Sequence, residues 1–317
     1  MKAIGGYFDS ESSRRTHENK LSDRYQFNLG RNALKFYLQA RNINKVSIPY
    51  YICDSVLEVF NDLGVETSFY GINENLEAIE SGFQPGSLII YVNYFGIKTS
   101  YITQLLKKYG NCLIDNSQSY YTDSFPEAFY SPRKFFEVPD GGELISKHSF
   151  DFQHLETDIS VDRHIHLLLR SEGMIEKGYE EYKNLEQSFS HLPLKLMSDT
   201  TSKTLRLIDH ENVINTRNRN FNYLHQHLGS INQLEIVQDS INGPMVYPFL
   251  VTNGKSIKSR CIENEIFVAT YWNSVLEKVS QDSFETYLVN NLVPLPVDQR
   301  YDLDEMDYII HNIKSMI

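Results

Sequence analysis

Cysteine is scarce in this chain. Cys53, Cys112 and Cys261 stand far apart along 317 residues. They form no Cys-x-x-Cys and no disulfide framework, which suits a reducing cytoplasm. Tryptophan occurs once, and no run of basic residues occurs. With 30 Lys and Arg against 41 Asp and Glu, the net charge is −11, which argues against general binding to nucleic acid or to an anionic membrane. A local cationic pocket for a phosphorylated ligand stays open. No apolar stretch approaches the roughly 20 residues needed to span a bilayer. The opening Met1–Tyr7 lacks the apolar core of a signal peptide. A soluble cytoplasmic protein is the expectation. Internal repeats, low-complexity tracts and a nucleophile-elbow motif are also missing.

What is present allows a sizeable core. Apolar residues make up 41%, with 21 Tyr and 18 Phe, and the length suits one large domain plus a smaller one. Residues 1–24 are polar and mixed, and read either as an arm or peripheral hairpin or as a loosely ordered terminus. From Tyr25 strand and helix patterns alternate. A helix follows Gly30, with Leu34, Tyr37 and Leu38 on one face. Lys45–Pro49 reads as a strand. Asp54 is placed to cap a helix over 55–63 that Gly64 ends. Val65, Thr67 and Phe69 alternate as a strand, and Ser87–Asn93 reads as one buried on both faces. Thr99 is placed to cap a helix reaching Tyr109, and Asn111–Asp115 is the next strand. Such alternation predicts an α/β sheet of mostly parallel strands, with ligands at the strands' carboxyl ends. Pro49, Asn93 and Asp115 fall at such ends. Beyond Leu144 the pattern predicts long helices over 162–190 and 198–228. Strands are expected at 235–237, 245–251 and 266–270, and helices near 255–264, 282–290 and 303–316.

The residues from Leu113 to Leu144 carry the chemistry. Asp115 ends a buried strand, where it is either a turn former or a carboxylate that keeps a pyridine nitrogen protonated. Gln118, three residues on, either meets solvent or hydrogen-bonds a ring substituent. Lys134 lies in Ser131-Pro-Arg-Lys. It is either a solvated surface group or an amine that must lose its proton to attack an aldehyde, with Arg133 and Phe135–Phe136 as the setting that would favour this. Ser131 is placed to donate to a phosphate. Gly141–Gly142 lets the backbone turn closely. Upstream, Gly30-Arg31-Asn32 opens a helix, and a helix start offers free N–H groups to an anion. Arg31 would add a charge-assisted bond. Tyr50 and Tyr51 follow Pro49, either as packing residues or as a face for an aromatic ring. The pairs His164/His166 and His225/His227 do not share a helix face and carry no metal-site reading.

In this order the residues resemble the sugar aminotransferases of the DegT/DnrJ/EryC1/StrS group, a divergent branch of which the phrase YSPRKFFEVPDGG would mark. The likeness runs from about residue 25 to the C-terminus. The family's phosphate turn corresponds to Asn28–Leu34, its strand ending in proline to Val46–Pro49, and its Asp-x-x-Gln motif to Asp115–Gln118. Its Schiff-base lysine and following Gly-Gly pair correspond to Lys134 and Gly141–Gly142, and its late Leu-Pro segment to Leu292–Val297. Four departures stand out. Arg31 replaces the threonine of the phosphate turn. Cys53 replaces the stacking aromatic, which leaves Tyr50 or Tyr51 for that role. The segment from Asp115 to Lys134 is short. No Asn-x-Arg motif is recognisable around Pro193–Asp199.

The resemblance implies a pyridoxal 5'-phosphate (PLP) transferase of fold type I. It would have a mostly parallel central sheet flanked by helices and a smaller α+β C-terminal domain. The expected division is an arm over 1–24, a PLP-binding domain over 25–195 and a small domain over 196–317. It implies Lys134 and Asp115 as catalytic residues. Gly30, Arg31, Asn32, Tyr51, Gln118 and Ser131 join them in binding PLP, with no metal. It implies a homodimer that moves an amino group from a donor such as glutamate to a nucleotide-linked keto-sugar for surface polysaccharide. Two alternatives remain. One is sugar dehydration, in which histidine replaces the lysine. The other is a degenerate member that binds PLP or a sugar nucleotide without transamination.

Overall fold

The computed structural model describes residues 4–8, 24–237 and 241–317. Most of the expected N-terminal arm lies outside the described residues. In chain order the first half forms β1 (Ile4–Gly5), β2 (Tyr25–Phe27), α1 (Gly30–Ala40), β3 (Lys45–Pro49), α2 (Asp54–Leu63) and β4 (Glu66–Tyr70). It continues with β5 (Leu88–Val92), α3 (Thr99–Lys108), β6 (Cys112–Asp115), β7 (Glu127–Tyr130) and β8 (Gly142–Ser146). Seven of these strands form one sheet in the order β2-β8-β7-β6-β5-β3-β4. The five from β7 to β4 run parallel, while β8 is antiparallel to both its neighbours. The β5 sequence LIIYV and the β6 sequence CLID are buried at every residue, as strands covered on both faces must be. From β3 the chain crosses to β4 on one side and then to β5 on the other. This reversal opens a crevice at the carboxyl ends of the strands.

Local chemistry explains the boundaries. Gly64 adopts the left-handed conformation that ends α2, at φ 64°. Asp54 and Thr99 do not cap. Each is the first residue of its helix, behind Cys53 and Lys98, and Asp54 instead holds Ser274 and Lys278.

The two long helices expected beyond residue 160 are each broken. The first becomes α4 (Ile165–Ser171) and α5 (Ile175–Ser188), interrupted at Gly173, whose φ of 76° lies outside helical space. The second becomes α6 (Asp199–Leu207) and α7 (His210–Leu228). Ser198 caps α6 by accepting from Thr201, and Asp209 caps α7 by accepting from Asn212. Residues 235–237 lie in no strand. The remaining elements are β9 (Val246–Leu250), α8 (Gly254–Glu263), β10 (Ile266–Phe267), α9 (Phe284–Asn291), β11 (Leu292–Pro296) and α10 (Leu303–Met316). Strands β9 and β11 pair antiparallel, and β10 pairs with β1. A capping box from Asp302 and Glu305 starts α10.

Candidate functional site

Lys134 ends a single 3-10 turn, Pro132–Lys134, that leaves the carboxyl end of β7. Its backbone N–H bonds the Ser131 carbonyl, and the next two amides bond Pro132. Phe135 and Phe136 are buried against Tyr120 and pin the turn to the core. The Lys134 amine stays half-exposed and donates to the Ser117 hydroxyl at 3.4 Å. Arg133 does not serve the amine as expected. Its guanidinium pairs with Glu186 on α5 and covers the ring of Phe189.

Asp115 sits at the carboxyl end of β6, buried, and accepts from the Ser117 amide at 2.9 Å. Desolvation pushes its pKa up, and the charge of Lys134 opposes that push. The carboxylate thus lacks full compensation within the chain. Gln118, also buried, uses its carbonyl oxygen to accept from the amide of Phe95 at 2.9 Å. That bond holds Phe95 at φ 57°, a conformation unusual outside glycine. The Gln118 amide nitrogen is buried without a partner. Such a donor is one that a ligand would satisfy.

The amino end of α1 meets the same turn. Its cap residue is Leu29, which offers no side-chain bond to the amides of the first turn. A Cβ on Gly30 would stand 3.3 Å from the Tyr130 carbonyl and 3.4 Å from Cβ of Ser131. Glycine therefore lets the helix start come close to Ser131. Gly141, at φ 130°, donates to the Asn28 carbonyl at 2.6 Å and fixes this approach from the other side.

The other expected site residues lie elsewhere. The Arg31 side chain pairs with Glu58 on α2. The side chain at the second helical position points outward, and only backbone N–H groups aim along the axis. Asn32 is buried with its amide on Asn28 and on the Pro193 carbonyl. The Tyr51 ring packs edge-on against Trp272 at 4.9 Å, buried, and its hydroxyl has no partner. Tyr50 lies flat on Phe69. The structure therefore brings together Gly30, Ser131, Lys134, Asp115 and Gln118, and leaves out the side chains of Arg31, Asn32 and Tyr51.

Several neighbours were not expected. Ser117 contacts both Asp115 and Lys134. Asp140, buried, accepts from the amide and hydroxyl of Ser198 and from the Thr201 hydroxyl, tying the lysine loop to the start of α6. The motif-poor Pro193–Asp199 segment thereby wraps the phosphate turn and the lysine loop together. Among these only the spacing of Ser117 within Asp-x-x-Gln was visible beforehand.

A separate groove of about 450 Å³ lies where Tyr50 and Gly71–Asn73, just past β3 and β4, face Lys278–Ser280 and Ser283–Glu285. Of the expected site residues it includes only Tyr50, the alternative to Tyr51 as the stacking aromatic. Among the described residues no cluster suits a metal ion, and no helix is long and apolar enough to cross a membrane.

No family model matches the chain, and no curated protein matches it in sequence. Solved structures match its fold. A DegT/DnrJ/EryC1/StrS aminotransferase of Brucella abortus superposes with a TM-score of 0.64 at 15% identity, over 92% of this chain and 85% of that one. A sugar aminotransferase of Micromonospora echinospora gives 0.63 at 14% identity, over 92% and 87%. NtdA of Bacillus subtilis, solved with bound cofactor PMP, gives 0.66 at 13% identity, over 92% and 72%. The chain has the fold of these aminotransferases, a mostly parallel sheet flanked by helices.

Proposed function

We propose that this chain is a PLP-dependent aminotransferase acting on a sugar. The observation that carries the reading is a buried, under-compensated Asp115 beside Lys134, with the orphaned Gln118 amide at the same strand edge. The residues suit the cofactor group by group. The amino end of α1 and the Ser131 hydroxyl would take its phosphate. Asp115 would face the pyridine nitrogen, gaining a positive partner besides Lys134 and keeping that nitrogen protonated. Gln118 would donate to the ring's substituent, and Lys134 would hold the aldehyde carbon. When bound, PLP supplies the electron sink that acidifies the carbon bearing the amino group.

The chain's own residues supply the rest. With the cofactor held, Lys134 Nζ would be the chain's group that moves the proton at that carbon, as base and then as acid. Ser117 holds Nζ on the side of Asp115. One of the neighbours is a sugar aminotransferase, which supports a keto-sugar as acceptor. By the resemblance that sugar would be nucleotide-linked, the donor an amino acid such as glutamate, the role surface-polysaccharide synthesis and the working form a cytoplasmic homodimer. The proposed division keeps the cofactor groups within 25–195.

A second reading is a member that binds PLP without turnover. The outward Arg31 and the edge-on Tyr51 favour it, since neither supports the cofactor. Reconstitution with PLP followed by glutamate separates the two. The proposal expects a visible band in wild type, absent in Lys134→Ala, that glutamate converts to the pyridoxamine absorbance. A band that no amino donor converts selects the second reading. Identical spectra for wild type and Lys134→Ala sink both.

A further inference from the structure

Helix α7 presents a buried face of Val213, Arg217, Phe221, Leu224 and Leu228. An arginine occupies a place where an apolar side chain belongs, and it is fully buried. A buried guanidinium is unfavourable unless its donors are used. Its three nitrogens reach three segments. Nη2 donates to the Phe135 carbonyl at 3.4 Å, and Nη1 donates to the carbonyls of Pro244 at 2.9 Å and Met245 at 3.3 Å. Nε donates to Gln299 at 2.9 Å, and Gln299 in turn donates to the Phe135 carbonyl at 2.8 Å. The guanidinium also lies 4.7 Å over the ring of Phe135. Two side chains from the C-terminal part thus grip the carbonyl next to Lys134.

The chain of bonds continues. The Met245 amide donates to the Phe95 carbonyl at 3.2 Å, and the Phe95 amide donates to Gln118. One side chain therefore spans the backbone of the turn bearing Lys134 and the segment that holds the loop around Gln118.

We infer that Arg217, with Gln299, is a positioning residue that sets the Lys134 turn relative to the Gln118 loop. The inference rests on the cofactor reading of Lys134 for its functional meaning and on the clamp alone for its geometry. Arg217 touches neither Lys134 nor Gln118 in the bonds described. It acts through Phe135 on one side and through Met245 and Phe95 on the other.

The test uses the full chain and two variants. Arg217→Lys keeps the charge but loses the planar fork, and Gln299→Leu removes one donor while Arg217 stays. Amide hydrogen exchange is measured in the cofactor-free protein, and the rate at which added PLP bonds Lys134 is followed by absorbance. Loss of one buried hydrogen bond corresponds to about a tenfold change. Both variants are expected to speed exchange at Phe135 and Phe136 by about tenfold and to slow PLP attachment by a similar factor, with the exchange of β5 and β6 unchanged. Only Arg217→Lys is expected to speed exchange at Phe95 and Met245 as well. Unchanged exchange at Phe135 and Phe136 in the folded variants overturns the inference, and so does a uniform rise across the chain. Should wild type fail to bond PLP at Lys134, the proposed function falls, and the exchange pattern still decides the clamp.

Discussion

Two regions share the carboxyl edge of the central sheet and differ in kind. Near β3 and β4 an open groove of about 450 Å³ is lined by polar groups whose bonds are made within the chain. Glu285 accepts from the Ile72 amide, Asn73 from Asn75 and Glu77, Ser283 from Thr286, and Lys278 pairs with Asp54. Near β6 and β7, by contrast, Asp115 is buried against its own solvation and Gln118 keeps an unused donor. Buried polar groups left short of partners are costly and rare in folded chains. The proposed cofactor would satisfy both Asp115 and the Gln118 donor.

Breaking the β6–β7 side should have the largest effects. Lys134→Ala is expected to abolish both the covalent PLP band and transamination, read by absorbance and by amine transfer from glutamate. Asp115→Asn should lower the transamination rate by roughly 10²–10³-fold, the scale for losing one preorganised electrostatic partner. The same variant should make the cofactor-free protein more stable near neutral pH. The sign follows from linkage. Burial raises the folded pKa of Asp115 above its unfolded value. The wild-type chain then gives up stability as pH rises from the ordinary carboxylate pKa of about 4 towards the folded value, and keeps that deficit above it. Below about pH 4 both states are protonated and the advantage of asparagine vanishes. Thermal melts across pH check this, and a destabilised variant at pH 7 would show that Asp115 holds the fold together.

Smaller effects sharpen the contrast. Gln118→Leu removes the unused donor and frees Phe95, and PLP affinity should fall about tenfold. Arg31→Ala breaks an ion pair at the surface of α1 and α2, so stability should change by less than about 1 kcal/mol, with PLP affinity unaltered. A tenfold loss of PLP affinity in Arg31→Ala would return that side chain to the phosphate site. On α4, burial and the charge of Arg133 hold the His166 pKa down to about 4. Because the unfolded imidazole takes its proton near pH 6.5, stability is lost as pH falls from there towards 4. His166→Gln should flatten that slope in denaturant titrations without touching PLP binding.

The sequence exposed the architecture well where patterns were long or strongly punctuated. LIIYV, CLID and the glycine after α2 announce themselves, and Asp115-x-x-Gln118 starts at the end of a predicted strand. Short elements hid. EAFY and GELIS, which became β7 and β8, are too brief for their period to stand out. The expected helix over 198–228 broke at Asp209 because a capping side chain outweighed the continuous pattern. Direction was also illegible. Spacing put Arg31 and Tyr51 near the phosphate turn and the crevice, but not that Glu58 and Trp272 would claim their side chains. Arg217 looked like one more polar residue of a long helix. Only packing reveals that it faces inward and reaches Phe135 across about 80 positions of sequence.

The central claim is that Lys134 is the amine that holds the cofactor. Lys258 provides a demanding control. It is buried on α8 with its amine on the Val289 carbonyl, and burial pulls its pKa down to about 8, so more of it is unprotonated at neutral pH than of an ordinary lysine. The deciding measurement is borohydride reduction of the PLP-loaded wild-type chain, followed by peptide mass spectrometry. A single pyridoxyl label on Lys134, lost in Lys134→Ala, is the predicted result. A label on Lys258 or another lysine, or none at all, would contradict the account.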